Sequence, residues 1–86
     1  MRPDHRYQWR GDRDWRAPRG FYERRWRYGE RLPFGWFARS FWMSDYYDYD
    51  LPVPPYGYQW IRLGPDIALV NIRTGLIVET IYDFFY

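Results

Sequence analysis

Three short runs rich in β-branched and aromatic residues, separated by glycine-containing breaks, leave this chain few folds to choose from. Across residues 56–82 it reads Tyr-Gly-Tyr-Gln-Trp-Ile-Arg-Leu, a break at Gly64-Pro65-Asp66, then Ile-Ala-Leu-Val-Asn-Ile. A second break at Arg73-Thr74-Gly75 leads into Leu-Ile-Val-Glu-Thr-Ile-Tyr. Strand-length runs punctuated in this way predict an antiparallel meander. A three-residue loop with Gly75 left-handed sets Ile72 against Leu76 and Val70 against Val78. A two-residue loop would set Val70 opposite Glu79, so the first register is preferred. The same treatment of Gly64-Pro65-Asp66 puts Trp60 opposite Val70 and Tyr58 opposite Ile72. One face then holds Tyr58, Trp60, Ala68, Val70, Ile72, Leu76, Val78 and Tyr82. The other holds Ile61, Leu63, Ile67, Leu69, Ile77 and Ile81, with Gln59, Asn71 and Glu79 among them. Both are too apolar to stand in water. The second face needs a cover, from an upstream segment or from another copy of the chain.

The chain has 86 residues, room for one small domain. It has no cysteine, hence no disulfide and no thiolate metal site. Aromatic residues make up 26% of it, and large rings partly offset the short length by the area each can bury. Every basic residue is arginine. Residues 1–31 hold ten arginines against five acids, net +5, while residues 40–86 hold two against six, net −4. A basic block of this kind suits an anionic partner, and it equally suits solvent or the chain's own acidic half. No apolar run is long enough to span a bilayer, and Met1-Arg2-Pro3-Asp4-His5-Arg6 leads into no apolar signal core.

Residues 1–19 mix Arg, Asp, Gly and Pro with isolated rings and show neither helix nor strand period, which predicts a disordered or loosely attached tail. A single domain follows over residues 20–86. Residues 20–28 suit a short helix, with Glu23 and Arg27 four apart, Tyr22 and Trp26 on one face and Gly29 as its stop. Trp36-Phe37-Ala38-Arg39-Ser40-Phe41-Trp42-Met43 reads as one upstream strand. Ser44-Asp45 suits an N-cap for one or two helical turns over residues 46–50. Leu51-Pro52-Val53-Pro54-Pro55 excludes helix and runs extended into the meander. The expected fold class is therefore α+β: a small antiparallel sheet of the three-stranded meander plus one upstream strand, with one or two short helices and a flexible Arg-rich N-terminus.

An ordered series of motifs then carries a resemblance. It comprises Gly29-Glu30-Arg31-Leu32-Pro33, Trp42-Met43-Ser44-Asp45-Tyr46 and Tyr49-Asp50-Leu51-Pro52. Pro54-Pro55-Tyr56-Gly57-Tyr58-Gln59-Trp60-Ile61-Arg62 and Leu69-Val70-Asn71-Ile72-Arg73-Thr74-Gly75-Leu76-Ile77 complete it. Over roughly residues 29–81 the chain resembles the RcnB-like family of small bacterial envelope proteins, named for a periplasmic member of nickel and cobalt homeostasis. The resemblance implies a periplasmic or membrane-associated protein of compact α+β fold. It implies a non-enzymatic accessory or binding role through a protein partner, with no cofactor. The motif residues Gly29, Leu32, Pro33, Leu51, Pro52, Pro55, Gly57, Tyr58, Trp60, Thr74, Gly75 and Ile77 each have a backbone or packing reason that needs no ligand.

Candidate chemistry is sparse. Nickel and cobalt favour imidazole or thiolate ligands, and the chain offers one histidine, His5 beside Asp4. Asp45, Asp48 and Asp50 form the densest carboxylate cluster but lack the glycine and closing glutamate of a calcium loop, so a solvated acidic turn is the simpler reading. Ser40 and Ser44 have no base nearby in sequence, which argues against nucleophilic catalysis. Glu79, on an otherwise apolar strand, would pair with Arg62, Arg39 or solvent. Arg6-Tyr7-Gln8-Trp9-Arg10 and Arg24-Arg25-Trp26-Arg27-Tyr28 interleave guanidinium groups with rings. Arg24, Arg25 and Arg27 are thus candidates for an anion, whether nucleic acid, lipid headgroup or envelope polymer. The interspersed acids, and the location that the resemblance implies, weaken the nucleic-acid case.

Overall fold

The structure, a computed structural model, describes residues 15–85. The meander forms as three antiparallel strands in the order β1-β2-β3: Tyr58–Leu63, Asp66–Asn71 and Ile77–Ile81. The first connection is shorter than its sequence suggests. Leu63 pairs with Asp66, which leaves Gly64-Pro65 as a two-residue turn. Gly64 has φ +70°, the sign that a type II′ hairpin asks of its first central residue. Trp60 therefore faces Leu69, not Val70, and Tyr58 faces Asn71, not Ile72. A slip of one residue exchanges the faces of a whole strand. β1 is turned over relative to the expected arrangement.

The second connection keeps half of the expected register. Ile67↔Ile81, Ala68↔Thr80 and Leu69↔Glu79 follow the predicted pairing, but Val70 meets Ile77 where Val78 was expected. The pairing shifts by one between Leu69 and Val70. The turn itself takes four residues: Asn71 N donates to Leu76 O (2.9 Å) and Gly75 N to Asn71 O (2.7 Å). Val78 is the extra residue, a bulge that lets Ile77 join Val70 in one layer while Val78 packs into the other.

Both faces of the sheet are covered from within the chain. Ile61, Leu63, Ala68, Val70 and Ile77 form the upper layer with Trp26, Leu32 and Trp36, flanked by Phe21, Phe37 and Trp42. Trp60, Ile67 and Leu69 form the lower layer with Met43, Leu51 and Phe85, flanked by Tyr46, Tyr49, Tyr58 and Phe84. The upper cover is not the helix expected over residues 20–28, which run without regular structure. A helix there would be marginal alone. The extended path instead brings Phe21 and Trp26 against Trp36, with ring centroids 5.1 and 5.8 Å apart.

No fourth strand is seen among the described residues. Residues 34–37 form turns, Arg39–Phe41 a single 3₁₀ turn, and Trp42 bridges Ile61 at one point. The physical reason is that Trp36 belongs to the upper layer and Met43 to the lower. The segment must wrap around the outer edge of β1 between them, where Met43 N donates to Trp60 O (2.8 Å). A second 3₁₀ turn, Tyr46–Tyr49, follows Asp45, whose side chain makes no capping bond. The fold is thus an open three-stranded sheet between two irregular aromatic layers, with 3₁₀ turns in place of helices.

Candidate functional site

The motif residues are far apart in sequence, yet two of their blocks meet on the outer edge of β3. Gly29 N donates to Ile77 O (2.8 Å), Ile77 N to Glu30 O (2.8 Å) and Leu32 N to Gly75 O (2.9 Å). Arg31 and Leu76 form an antiparallel bridge. Leu32 and Ile77 are buried in the upper layer, and the Pro33 carbonyl accepts the Trp36 amide. Gly75 sits at φ +82°, and a Cβ there would lie 2.8 Å from a Phe37 ring carbon and 3.1 Å from the Leu32 carbonyl oxygen. Thr74 Oγ1 accepts the Leu76 amide, and Asn71 Oδ1 accepts the amides of Arg73 and Thr74, which fixes the turn.

The other block meets at the start of β1. Leu51 is buried, and the Pro52 carbonyl accepts the Trp60 indole N–H at 2.9 Å. Tyr58 N donates to Pro55 O (3.0 Å) and Ile72 N to Gly57 O (3.0 Å), with Gly57 at φ +88°. Tyr58 rests against the lower layer. The motif residues thus make backbone, hydrogen-bond or packing contacts within the fold.

Of the three arginines proposed for an anion, Arg24 and Arg25 are engaged inside the chain. Arg24 pairs with Glu30 (2.5 Å) and lies over the Trp26 ring. Arg25 reaches both oxygens of Asp83 (3.0 and 3.2 Å) and lies over Tyr82. Arg27 is exposed; its backbone N–H binds Glu30 Oε1 at 2.8 Å. Arg62 does not pair with Glu79. It is buried, its Nε donates to the Gly64 carbonyl (2.6 Å), and its guanidinium packs on Phe85 and Trp15. It lines a cleft of about 680 Å³ whose other walls include Trp42, Asp45 and Tyr49. Glu79 is exposed to solvent.

His5 and the segment Arg6-Tyr7-Gln8-Trp9-Arg10 lie outside the described residues, as does most of the tail expected over residues 1–19. Of its last five residues, Pro18 is buried and Trp15 meets Phe21 edge-on. Asp45, Asp48 and Asp50 are exposed around the Tyr46–Tyr49 turn. Among the described residues no three His, Cys, Asp or Glu side chains converge as a metal site. Nor is any helix among them long and apolar enough to cross a membrane.

Sequence reasoning missed one polar centre. Asp66 is buried beneath the first hairpin, where Oδ1 accepts the backbone N–H of Asp83 at 2.7 Å. That bond holds the left-handed turn at Asp83 (φ 56°), after which Phe85 N donates to Pro65 O and the Phe85 ring enters the lower layer. Burial raises the Asp66 pKa; the Asp83 N–H and then the Arg25 charge oppose the rise, while Asp83 and Glu23 add to it. Folding therefore favours the protonated form of this group. Its contribution to stability is full below the ordinary Asp value and declines as pH rises through the folded value. Glu30 acts oppositely. The Arg27 N–H is the main cause holding its pKa down, so its contribution is present above the ordinary Glu value and is lost as pH falls. Asp66→Asn keeps an acceptor for Asp83 and removes the buried charge. It is expected to be at least as stable as the parent at neutral pH. In urea melts, its stability relative to the parent should rise as pH climbs from the ordinary Asp value through the raised folded one. A variant whose difference from the parent does not change with pH would refute this.

Comparison with known proteins follows the same outline. A solved structure with 21% sequence identity superposes with a TM-score of 0.63, covering 87% of this chain and 92% of its own, which shows a shared fold. The comparison with curated proteins gave no match. The family model RcnB, described as a nickel/cobalt transporter regulator, matches residues 29–79, more than half of the chain. Those residues hold both motif meeting points, all of β1 and β2 and most of β3. The chain belongs to the RcnB family, which is non-catalytic.

Proposed function

We propose that this protein is an accessory protein of the bacterial envelope, located in the periplasm, that contributes to nickel and cobalt homeostasis by contacting a protein partner. The observation that carries this reading is the family match over residues 29–79, with its description as a nickel/cobalt transporter regulator. Action through a partner is favoured because the matched residues bring no converging metal ligands among those described. Nickel and cobalt in protein sites call for imidazole or thiolate donors, and the whole chain holds one histidine and no cysteine. Calorimetric titration of the full chain with nickel, in parallel with His5→Ala, is the test. Little heat is expected from either protein. A stoichiometric, saturable heat that His5→Ala abolishes would overturn the partner reading in favour of direct metal capture. Metal tolerance of cells lacking the gene tests the homeostasis half separately; an unchanged tolerance to both metals would sink it.

A further inference from the structure

The two turns at one end of the sheet leave between them a groove of about 610 Å³, and the fold does not account for all of its lining. The turn leading into β1 needs Pro55, whose carbonyl accepts the Tyr58 amide, and Gly57, whose φ of +88° no other residue type adopts readily. Nothing in it requires an aromatic residue at position 56. Yet Tyr56 stands at its corner wholly exposed, in neither core layer, on a backbone stiffened by Pro54 and Pro55. Facing it across the groove are residues of the second turn. Asn71 has its Oδ1 occupied by the amides of Arg73 and Thr74, which leaves its two amide N–H donors. The Gln59 amide and the Arg73 guanidinium make no hydrogen bond or ion pair to the described residues. Among the described residues no acidic side chain lines the groove, and Arg73 is its one cation.

An exposed ring on a stiffened backbone, two planar amides and a guanidinium with no acid beside it among the described residues form a set suited to a sugar carrying a carboxylate. The C–H face of a pyranose stacks on an aromatic ring, amides bridge neighbouring hydroxyls, and a guanidinium takes a carboxylate in its planar fork. We infer that this groove binds an acidic glycan, with Tyr56 as the stacking platform, Gln59 and Asn71 on hydroxyls and Arg73 on the carboxylate. An extended peptide fits less well. Strand addition needs an open strand edge, whereas the groove lies at the sheet's end between two turns. The outer edge of β1 is taken at Trp60 and Ile61 by Met43 and Trp42. The inference stands apart from the metal-homeostasis reading, since it uses none of that reading's premises.

The test is an amide-shift titration of the isotope-labelled full chain. The probes are trigalacturonate, the N-acetylglucosamine–N-acetylmuramic acid disaccharide, neutral chitotriose and a proline-rich decapeptide. Expected are shifts confined to residues 54–59 and 71–73, with the two acidic sugars binding more tightly than chitotriose; which of the two binds better separates a uronate polymer from a cell-wall strand. Arg73→Gln should weaken the acidic probes by about tenfold, the scale of one charge-assisted bidentate contact, and leave chitotriose unchanged. Tyr56→Ala should abolish sugar binding without moving the thermal midpoint, because its ring is buried against nothing. The inference is overturned by an absence of shifts at millimolar sugar, by shifts centred elsewhere, by full binding in Tyr56→Ala, or by a response to the peptide alone.

Discussion

Trp60→Ala is expected to remove most of the stability of this domain. The indole is about 1% exposed, sits at the centre of the lower layer and donates to the Pro52 carbonyl at 2.9 Å. Truncating a buried tryptophan costs about 3–5 kcal/mol, from lost transfer energy and the cavity left behind. Small domains hold only about 0.05–0.15 kcal/mol per residue in total, so the loss is comparable with the whole. Urea unfolding should show a midpoint near zero denaturant, or no cooperative transition. Trp60→Phe keeps most of the ring volume and gives up the hydrogen bond to Pro52, a net of about 0.5–1.5 kcal/mol, and should retain a cooperative transition at lower urea. The two variants separate packing from polar tethering. If Trp60→Ala unfolded at the parent's midpoint, the lower layer could not be organised around this ring.

The same residue shows what the sequence made legible. Three strands and their antiparallel order follow from β-branched runs set between glycine breaks, a local signal. The side on which Trp60 lies is a matter of parity, and parity depends on whether Gly64-Pro65 or Gly64-Pro65-Asp66 closes the turn. The two-residue reading needs the positive φ at Gly64 and the three-residue reading needs it at Asp66, but the apolar runs on either side fit both closures and do not mark which one forms. The bulge at Val78 is hidden for a related reason: Leu76-Ile77-Val78 is apolar throughout, so no alternation marks which residue is extra. The need for a cover on the second face was readable from the apolarity of both faces. Its supply was not, because Trp26, Trp36 and Met43 come from coil, where each ring arrives by its own path and no period announces it. Long-range pairing misled in the same way. Arg25 read as part of an open cationic patch because Asp83 lies 58 residues beyond it, and only the folded chain brings the two together.

Gly75→Ala is expected to be far more damaging than Gly57→Ala, though both glycines occupy the left-handed region, at φ +82° and +88°. A non-glycine residue held in a sparsely populated backbone region costs about 1–3 kcal/mol, and that cost applies to both. Around Gly57 a Cβ would meet nothing within 4 Å. At Gly75 it would lie 2.8 Å from the Phe37 ring and 3.1 Å from the Leu32 carbonyl oxygen. Phe37 packs on the upper layer, and Leu32 is tied to this same turn through its amide on the Gly75 carbonyl. Relief therefore means moving the backbone of the segment that extends the edge of β3. Overpacking of this kind adds about 1–3 kcal/mol. Gly57→Ala should lower the urea midpoint modestly and leave amide exchange at Ile77 protected. Gly75→Ala should lower it by at least twice as much and expose the amides of Gly29, Leu32 and Ile77 to exchange, since all three bonds cross the displaced contact. Equal losses from the two substitutions would mean that the close approach at Gly75 does not hold the two motif blocks together.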